Sequence, residues 1–165
     1  MRLTSRGSIL AAIILLQSGS MAVADDESPD EIARENTTTA AESMAESDKG
    51  VDEDGEKIWK AEARDWLNFD KHNNHRTFEL PVAFAREIVE KYYKAGAEKV
   101  WMTGITELEA DGVVLHISDY MVVVLPKDDA AKRAATFAVY NKVMEEAEEP
   151  ALKDIGQTYI FLEGD

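Results

Sequence analysis

The chain has 165 residues, with 33 acidic against 18 basic side chains and a formal net charge of −15. Such a field repels nucleic acid and anionic lipid, so we expect neither as a partner; a basic protein or a cation is favoured. The absence of cysteine excludes disulfides, thiol chemistry and a lipoprotein anchor on cysteine.

The N-terminus has the three parts of a secretory signal. Arg2 and Arg6 form the basic start, residues 9–16 form a short apolar core, and Ala-Val-Ala at 22–24 supplies the small residues before a cleavage site. The apolar core is shorter than the roughly 20 residues of a membrane-spanning helix. The sequence therefore predicts a cleaved signal peptide at 1–24, a periplasmic or secreted protein, and no stable membrane insertion after cleavage; an uncleaved anchor is the alternative.

Residues 25–57 carry 13 acidic and 3 basic side chains and no aromatic one. A segment with so few apolar groups buries too little surface to offset the entropy lost on ordering, so the sequence predicts a disordered acidic linker. A solubilising spacer is the favoured role. An acidic recognition tail and a loose Ca²⁺-binding segment are the alternatives.

The composition changes at residue 58, and residues 58–165 are long enough for a single domain with its own core. The apolar spacing between Ile58 and Leu67 predicts an N-terminal amphipathic helix. Asp111-Gly112 lies between two β-rich runs and predicts a hairpin turn. After residue 76 the predicted elements are a strand at 77–80, a helix ending at Gly96, strands at 100–108 and 113–125, a helix at about 130–148 and a strand at 158–162.

This order predicts an α+β domain with the ferredoxin-like βαββαβ plan: a four-stranded antiparallel sheet with two helices on one face. The other sheet face is then at least partly open. Trp101 and Thr103 on one strand, with Val114 and His116 on the next, are the predicted contact surface for a protein partner or for a second copy.

Three short runs carry a resemblance: Gly-Ala-Glu-Lys-Val at 96–100, Leu-Pro-Lys-Asp at 125–128 and Asp-Ile-Gly-Gln-Thr-Tyr at 154–159. Together they resemble a group of uncharacterised bacterial small α+β proteins whose chains close with Asp-x-Gly-Gln-x-Tyr. The resemblance covers about the last 90 residues and implies a small α+β domain without assigning catalytic residues. Asp154 and Gln157 in the last run are predicted either to form a structural turn or to bind a ligand or partner.

Asp70, His72 and His75 are the predicted ligand set for a divalent metal, because imidazole and carboxylate groups are zinc ligands. A polar loop is the favoured interpretation of the same residues, and no cofactor is predicted. A small-molecule or metal-binding module is therefore the alternative function.

An enzyme is the least favoured interpretation. His116 and Ser118 lie on one strand, where side chains two residues apart are roughly 6.6 Å apart, too far for a base and its nucleophile. Acylphosphatase, an enzyme of the ferredoxin-like fold, needs a basic phosphate cradle in the first loop, but here that loop is Glu-Leu-Pro-Val at 79–82. The sequence thus predicts a non-enzymatic, exported interaction or self-associating domain, with a periplasmic inhibitor or immunity-type protein as a further alternative.

Overall fold

The structure of the chain is a computed structural model that describes residues 28–68, 75–77, 82–118 and 120–164. The signal peptide predicted at 1–24 lies outside these residues, as do the predicted metal ligands Asp70 and His72. Within the described ranges, no helix combines the length and the apolar character needed to cross a membrane.

The helices and strands place the described part of the chain in the α+β class, as the sequence predicts. From β2 onward they follow the predicted order of strand, helix, strand, strand, helix, strand, with the third strand of that plan divided into β4 and β5. The elements are α1 (Pro29–Lys49), β1 (Trp59–Glu62), α2 (Ala63–Leu67), β2 (His75–Thr77), α3 (Val82–Ala95), β3 (Lys99–Ala110), β4 (Val113–Ser118), β5 (Tyr120–Val124), α4 (Ala130–Glu146) and β6 (Tyr159–Glu163).

One long hairpin organises the sheet. Asp111 and Gly112 turn the chain between β3 and β4 with φ values of 54° and 75°, the left-handed pair that a two-residue hairpin turn requires. The pairs Thr106↔Ile117 and Thr103↔Tyr120 share one register, so β4 and β5 together run antiparallel along β3. The turn at 111–112 therefore determines the register in which both β4 and β5 pair with β3.

The strands form one open sheet in the order β2–β4–β3–β5–β6, and β1 pairs with the other side of β3. The β2–β4 pair is parallel and the other pairs are antiparallel. The predicted four-stranded antiparallel sheet is therefore wrong in strand number and in one pairing. The ferredoxin-like strand order is not confirmed, because β6 pairs directly with β5, while the three-residue β2 pairs only with β4.

The main core lies between the sheet and helices α3 and α4. Alternate residues of the central strands point to this side, as period-two side-chain geometry requires. The buried strand residues there are Val100, Met102, Met121, Val123, Ile160 and Leu162, and they meet Ile88, Val89 and Tyr92 of α3 and Phe137 of α4.

Helix α1 packs on the sheet and corrects the prediction that residues 25–57 are disordered. Ala40 is fully buried and belongs to a second cluster with Val122 and Phe161, against which Met44 also packs. The packed unit therefore begins at Pro29 and not at residue 58.

Small side chains explain why a helix with so few large apolar groups packs there. Ala33, Ala40 and Ser47 recur every seven residues along α1, and their exposures are 0%, 0% and 6%. Such residues let a helix approach a sheet closely, and the sheet supplies the large side chains Val122 and Phe161 against which Ala40 packs. The prediction of disorder considers only the few large apolar groups within the segment and not the apolar side chains of the sheet beneath it.

Both ends of α1 also carry local helix signals. At the N-terminus the Ser28 hydroxyl accepts a hydrogen bond from Glu31 N at 3.3 Å, and the Glu31 carboxylate accepts one from Ser28 N at 3.1 Å. Pro29 occupies the first helical position, where its missing N–H has no intrahelical partner to lose. Gly50 N donates to Glu46 O at 2.9 Å and ends the helix.

The helix predicted from Ile58 to Leu67 is correct only in its second half. Residues 59–62 form β1 and pair with β3, and only Ala63–Leu67 is helical. The free edge of β3 offers backbone hydrogen bonds to the first half of the segment, and this pairing overrides its amphipathic spacing. Trp66 and Leu67 then enter the core, with exposures of 6% and 2%.

Candidate interaction surface

The sheet face that the sequence predicts to be open is covered by α1. Thr103 is fully buried, and its hydroxyl accepts a hydrogen bond of 2.7 Å from the Ser43 hydroxyl of α1. Trp101 is half-buried, with the ammonium groups of Lys60 and Lys99 at 5.2 and 5.3 Å from its ring centroid. The prediction of an open contact surface at Trp101 and Thr103 is therefore wrong.

The same helix closes the outer edge of β6. The Asn36 side-chain amide donates to Phe161 O at 2.8 Å, and Phe161 N donates to the Asn36 carbonyl oxygen at 2.9 Å. One side chain thus satisfies both backbone groups of Phe161, much as a neighbouring strand would. Edge strands of natural sheets are often protected by such a cover, so β6 is not a free edge at this position.

The second pair of predicted surface residues lies elsewhere, on a projection that we call the arm, residues 106–118. It is the continuation of the β3–β4 hairpin beyond Trp59↔Ile105, the last pair that β1 makes with β3. Gly104 stands just before this point with a φ of 59°, where a Cβ atom would lie 2.7 Å from the Tyr120 ring. β3 therefore needs glycine at the position where it leaves the covered part of the sheet.

His116 lies at the base of the arm. Its ring meets the Trp59 ring edge-on, with centroids 5.3 Å apart, and its Nε2 is 3.5 Å from Glu107 Oε1. Val114 lies two residues toward the tip and is 44% exposed. The structure thus places these two predicted residues on one face of the arm and separates them from Trp101 and Thr103.

Three large aliphatic side chains near the tip of the arm are about half exposed. Leu108 is 50% exposed, Val113 45% and Val114 44%. Leu108 is paired with the half-buried Leu115, so an apolar strip continues along the Leu108 face of the arm. Sequence reasoning included Val114 but missed Leu108 and Val113.

The arm is acidic at the same place. Glu107, Glu109 and Asp111 are all exposed, and the sequence contains no lysine or arginine between Thr106 and Ser118. The alternation of acidic and aliphatic residues in Glu-Leu-Glu-Ala-Asp-Gly-Val-Val at 107–114 is the sequence signal that could have identified this surface. The arm therefore combines exposed apolar area with negative charge that no lysine or arginine of the arm itself balances.

Asp154 and Gln157 lie in the turn before β6, where their hydrogen-bonding groups serve the turn itself. The Gln157 side chain accepts from Ile155 N at 2.7 Å and donates to Lys153 O at 2.9 Å. Asp154 accepts two bonds from Arg133 of α4, at 2.6 and 3.0 Å. These contacts support the structural interpretation of the turn, and the ligand-binding interpretation stays a prediction without support from this geometry.

A shallow depression of about 100 Å³ lies between α2 and α3. Its charged lining groups already have partners within the chain: Arg64 binds Glu90 through two bonds of 2.7 and 2.9 Å, and Arg86 Nε donates to Leu67 O at 2.7 Å. The depression therefore offers few polar groups to a ligand.

The adjacent tyrosines Tyr92 and Tyr93 of α3 differ in the hydrogen bonds of their hydroxyl groups. They therefore allow a matched test of what such bonds contribute to stability. The Tyr93 hydroxyl contacts the Glu62 carboxylate and accepts from Val100 N at 3.1 Å, whereas the fully buried Tyr92 hydroxyl has no hydrogen-bond partner among the described residues. We expect Tyr92→Phe to raise the free energy of unfolding by about 1 kcal/mol, because a buried unpaired hydroxyl is removed. Tyr93→Phe should lower it by about 1–2 kcal/mol.

Urea denaturation of the two variants and of the unaltered chain measures both changes. A destabilised Tyr92→Phe variant would contradict the expected result and indicate that its hydroxyl is bonded in solution. Burial and the Glu62 hydrogen bond raise the pKa of Tyr93 to about 12, so the stabilisation by its neutral form is complete below pH 10. That stabilisation is lost as pH rises through the folded-state value.

The predicted metal set is not assembled by the described residues. Only the backbone of His75 is described, paired in parallel with His116 in β2–β4. A search of the described ranges found no group of three or more His, Asp or Glu side chains that could hold a metal ion. The set at Asp70, His72 and His75 stays a prediction.

The hydroxyl considered for a nucleophile is engaged in the sheet. Ser118 is 1% exposed, and its hydroxyl lies 2.8 Å from Thr103 O and 3.1 Å from Tyr120 O. A hydroxyl held between two carbonyl oxygens and closed to solvent is poorly placed to attack a substrate.

Comparisons with protein-family models, with curated proteins and with solved structures gave no match. Within the described residues, the arm is the most distinctive feature of the surface.

Proposed function

We propose that this chain is an exported, non-enzymatic interaction protein that binds a protein partner through the arm. The observation that carries the proposal is the exposure of three large aliphatic side chains at the tip of the arm: Leu108, Val113 and Val114 are each 44–50% exposed. Leu108 and Val113 share one face of the arm, and Val114 lies on the other. Single exposed aliphatic side chains are ordinary on protein surfaces, but a cluster of them is typical of an interaction site.

The arm is well anchored for such a role. Its strands continue into the packed sheet through Ile105 and Ser118, which are 0% and 1% exposed. The two-residue turn at 111–112 holds the tip in one register. A projecting surface on a packed base presents its side chains at little entropic cost, because the arm is ordered before the partner arrives.

The sequence supports the remaining parts of the proposal. The signal-like residues 1–24 support export to the periplasm or the medium, and the net charge of −15 opposes binding to nucleic acid. An inhibitor or immunity-type protein is one form that this interaction would take. The ferredoxin-like βαββαβ plan stays a hypothesis for the fold.

Site-specific crosslinking in the native host tests the proposal. A photoreactive amino acid placed at Leu108 of the full-length chain should give one dominant adduct, which mass spectrometry then identifies. The same probe at Ala138, exposed on α4, is the matched control and should give no adduct at that mass. A second copy in the adduct would identify self-association as the form of the interaction.

A substitution at the arm strengthens the test. With the photoreactive group at Val114, Leu108→Asp should reduce the adduct at least tenfold, while the melting temperature changes little because Leu108 is half exposed. Equal yields of adduct from the probes at Leu108 and Ala138, or no adduct from the probe at Leu108, would contradict the proposed function.

A further inference from the structure

The arm also has a free strand edge. β1 pairs with β3 only as far as Ile105, and beyond it the described strand that pairs with Thr106–Ala110 is β4, on the opposite side. The outward backbone groups of these five residues therefore have no strand partner among the described residues. A partner strand placed there would extend the line of β1 along β3.

The protection of this edge against strand addition is its charge alone. Natural edge strands commonly carry charged side chains, proline or a bulge, and an edge protected only by charge still accepts a strand of the opposite charge. Residues 106–110 are Thr-Glu-Leu-Glu-Ala, with neither lysine nor proline, and their register with β4 is regular.

The alternation of side chains along this edge indicates which residue types a partner strand needs. Glu107 and Glu109 point to one face of the arm and Leu108 to the other, because successive strand residues alternate. Directly opposed side chains on neighbouring strands contact each other, and opposite charges stabilise such a pair. A complementary strand therefore places basic residues beside the two glutamates and an aliphatic residue beside Leu108.

Charge argues against a second copy of the chain as the occupant. Antiparallel self-pairing centred on Leu108 would set Glu107 of one copy opposite Glu109 of the other, and like charges directly opposed destabilise a sheet. Each copy also carries a net charge of −15. Both the opposed glutamates and the net charge of each copy therefore disfavour self-association through this edge.

We infer that the partner binds the arm by β-strand addition along Thr106–Ala110, with a segment in which basic and aliphatic residues alternate. The inference rests on the proposed function and names its partner class. The backbone edge supplies the hydrogen bonds, Leu108 supplies the apolar contact, and the two glutamates select a basic segment over a neutral or acidic one.

A defined peptide tests this inference on the full-length chain. The probe is a nine-residue peptide with chemically capped ends, in which lysine and valine alternate. Its binding is measured at physiological salt. One control has the same composition with the lysines and valines in two blocks, and the other has glutamate in place of lysine. We expect the alternating lysine peptide to bind at least tenfold more tightly than either control and to slow hydrogen exchange of the amides at 106–110.

Charge reversal on the arm supplies the second measurement. The Glu107→Lys/Glu109→Lys variant should prefer the glutamate peptide over the lysine peptide. Glu145→Lys/Glu146→Lys makes the same change in net charge on exposed positions of α4 and should leave the lysine preference intact. These four glutamates are all exposed, so both variants are expected to fold.

The outcomes separate this inference from the proposed function. If the control peptide with lysines and valines in two blocks binds as tightly as the alternating peptide, the attraction is one of charge without strand pairing. If the peptide slows hydrogen exchange at amides outside 106–110 instead, the contact lies elsewhere. Either result overturns the inference. Absence of peptide binding, or dimerisation through the arm, also overturns it. If crosslinking at Leu108 still captures a protein in those cases, the proposed function stands and only the strand-addition mode fails.

Discussion

Replacing Arg133 with methionine is expected to lower the free energy of unfolding by about 2–4 kcal/mol, because two part-buried carbonyl oxygens and the Asp154 carboxylate lose a charged donor together. The guanidinium donates to Asp154 Oδ1 and Oδ2 at 2.6 and 3.0 Å, to Gln157 O at 2.9 Å and to Pro126 O at 3.2 Å. Its side chain is only 11% exposed. Methionine preserves much of the aliphatic packing, so the measured change reports mainly the lost hydrogen bonds.

Denaturant unfolding of Arg133→Met measures the change, and Lys142→Met on the same helix is the control. Lys142 is exposed, so its replacement should alter the free energy of unfolding by less than about 0.5 kcal/mol. Similar values for the two variants would show that the contacts of Arg133 add little beyond those of a surface cation.

The pH dependence provides an independent measure of the same contact. The hydrogen bond from Arg133 lowers the pKa of Asp154, and Gly156 N adds a second bond in the same direction. Because the folded-state pKa is below the unfolded value of about 3.9, this stabilisation is complete above that pH and disappears as pH falls through the folded-state value. Asp154→Asn should therefore flatten the decline of stability in acid.

Ala40→Leu is expected to lower the free energy of unfolding by about 1–3 kcal/mol, because α1 lies too close to the sheet to admit a larger side chain. Ala40 is fully buried against Val122 and Phe161. The added atoms must displace the helix or force the side chains beneath it out of their favoured rotamers. Displacement would also disturb the Asn36 bonds to Phe161 and the Ser43 bond to Thr103.

Ala41→Leu is the control for this prediction. Ala41 is exposed one residue along the same helix, and leucine and alanine both favour helices, so a change within about 0.5 kcal/mol is expected. Chemical denaturation compares the pair. Equal effects at the two positions would restore the original prediction of a segment that does not pack on the domain.

Local signals account for the parts of the fold that could be predicted. The Asp111-Gly112 turn and the end of α3 at Gly96 each depend on residues near in sequence, and each forms as expected: Gly96 N donates to Tyr92 O at 3.1 Å. The helix propensity of residues 29–49 was also readable, through the Ser28-to-Glu31 capping box and Pro29, but it was not recognised. Composition was a poor guide there because the apolar surface belongs to the sheet.

The candidate site could be predicted only in part. Val114 and His116 were placed on an exposed strand correctly, since alternation separates the faces of a strand. Trp101 and Thr103 were assigned to the same open surface because nothing local indicates which face another element covers. Leu108 and Val113 were missed since an aliphatic residue in a strand is more often buried.

The sequence by itself determined the charge, the signal-like N-terminus, the α+β class and the hairpin register, because each depends on composition or on neighbouring residues. Only the tertiary structure decided that α1 covers the sheet face with Trp101 and Thr103, and that β1 ends at Ile105. Those outcomes depend on close approach between residues 39 or more positions apart in the sequence, where small side chains and free backbone edges matter more than hydrophobic pattern. The open edge and the exposed aliphatic groups of the arm are what that packing leaves uncovered.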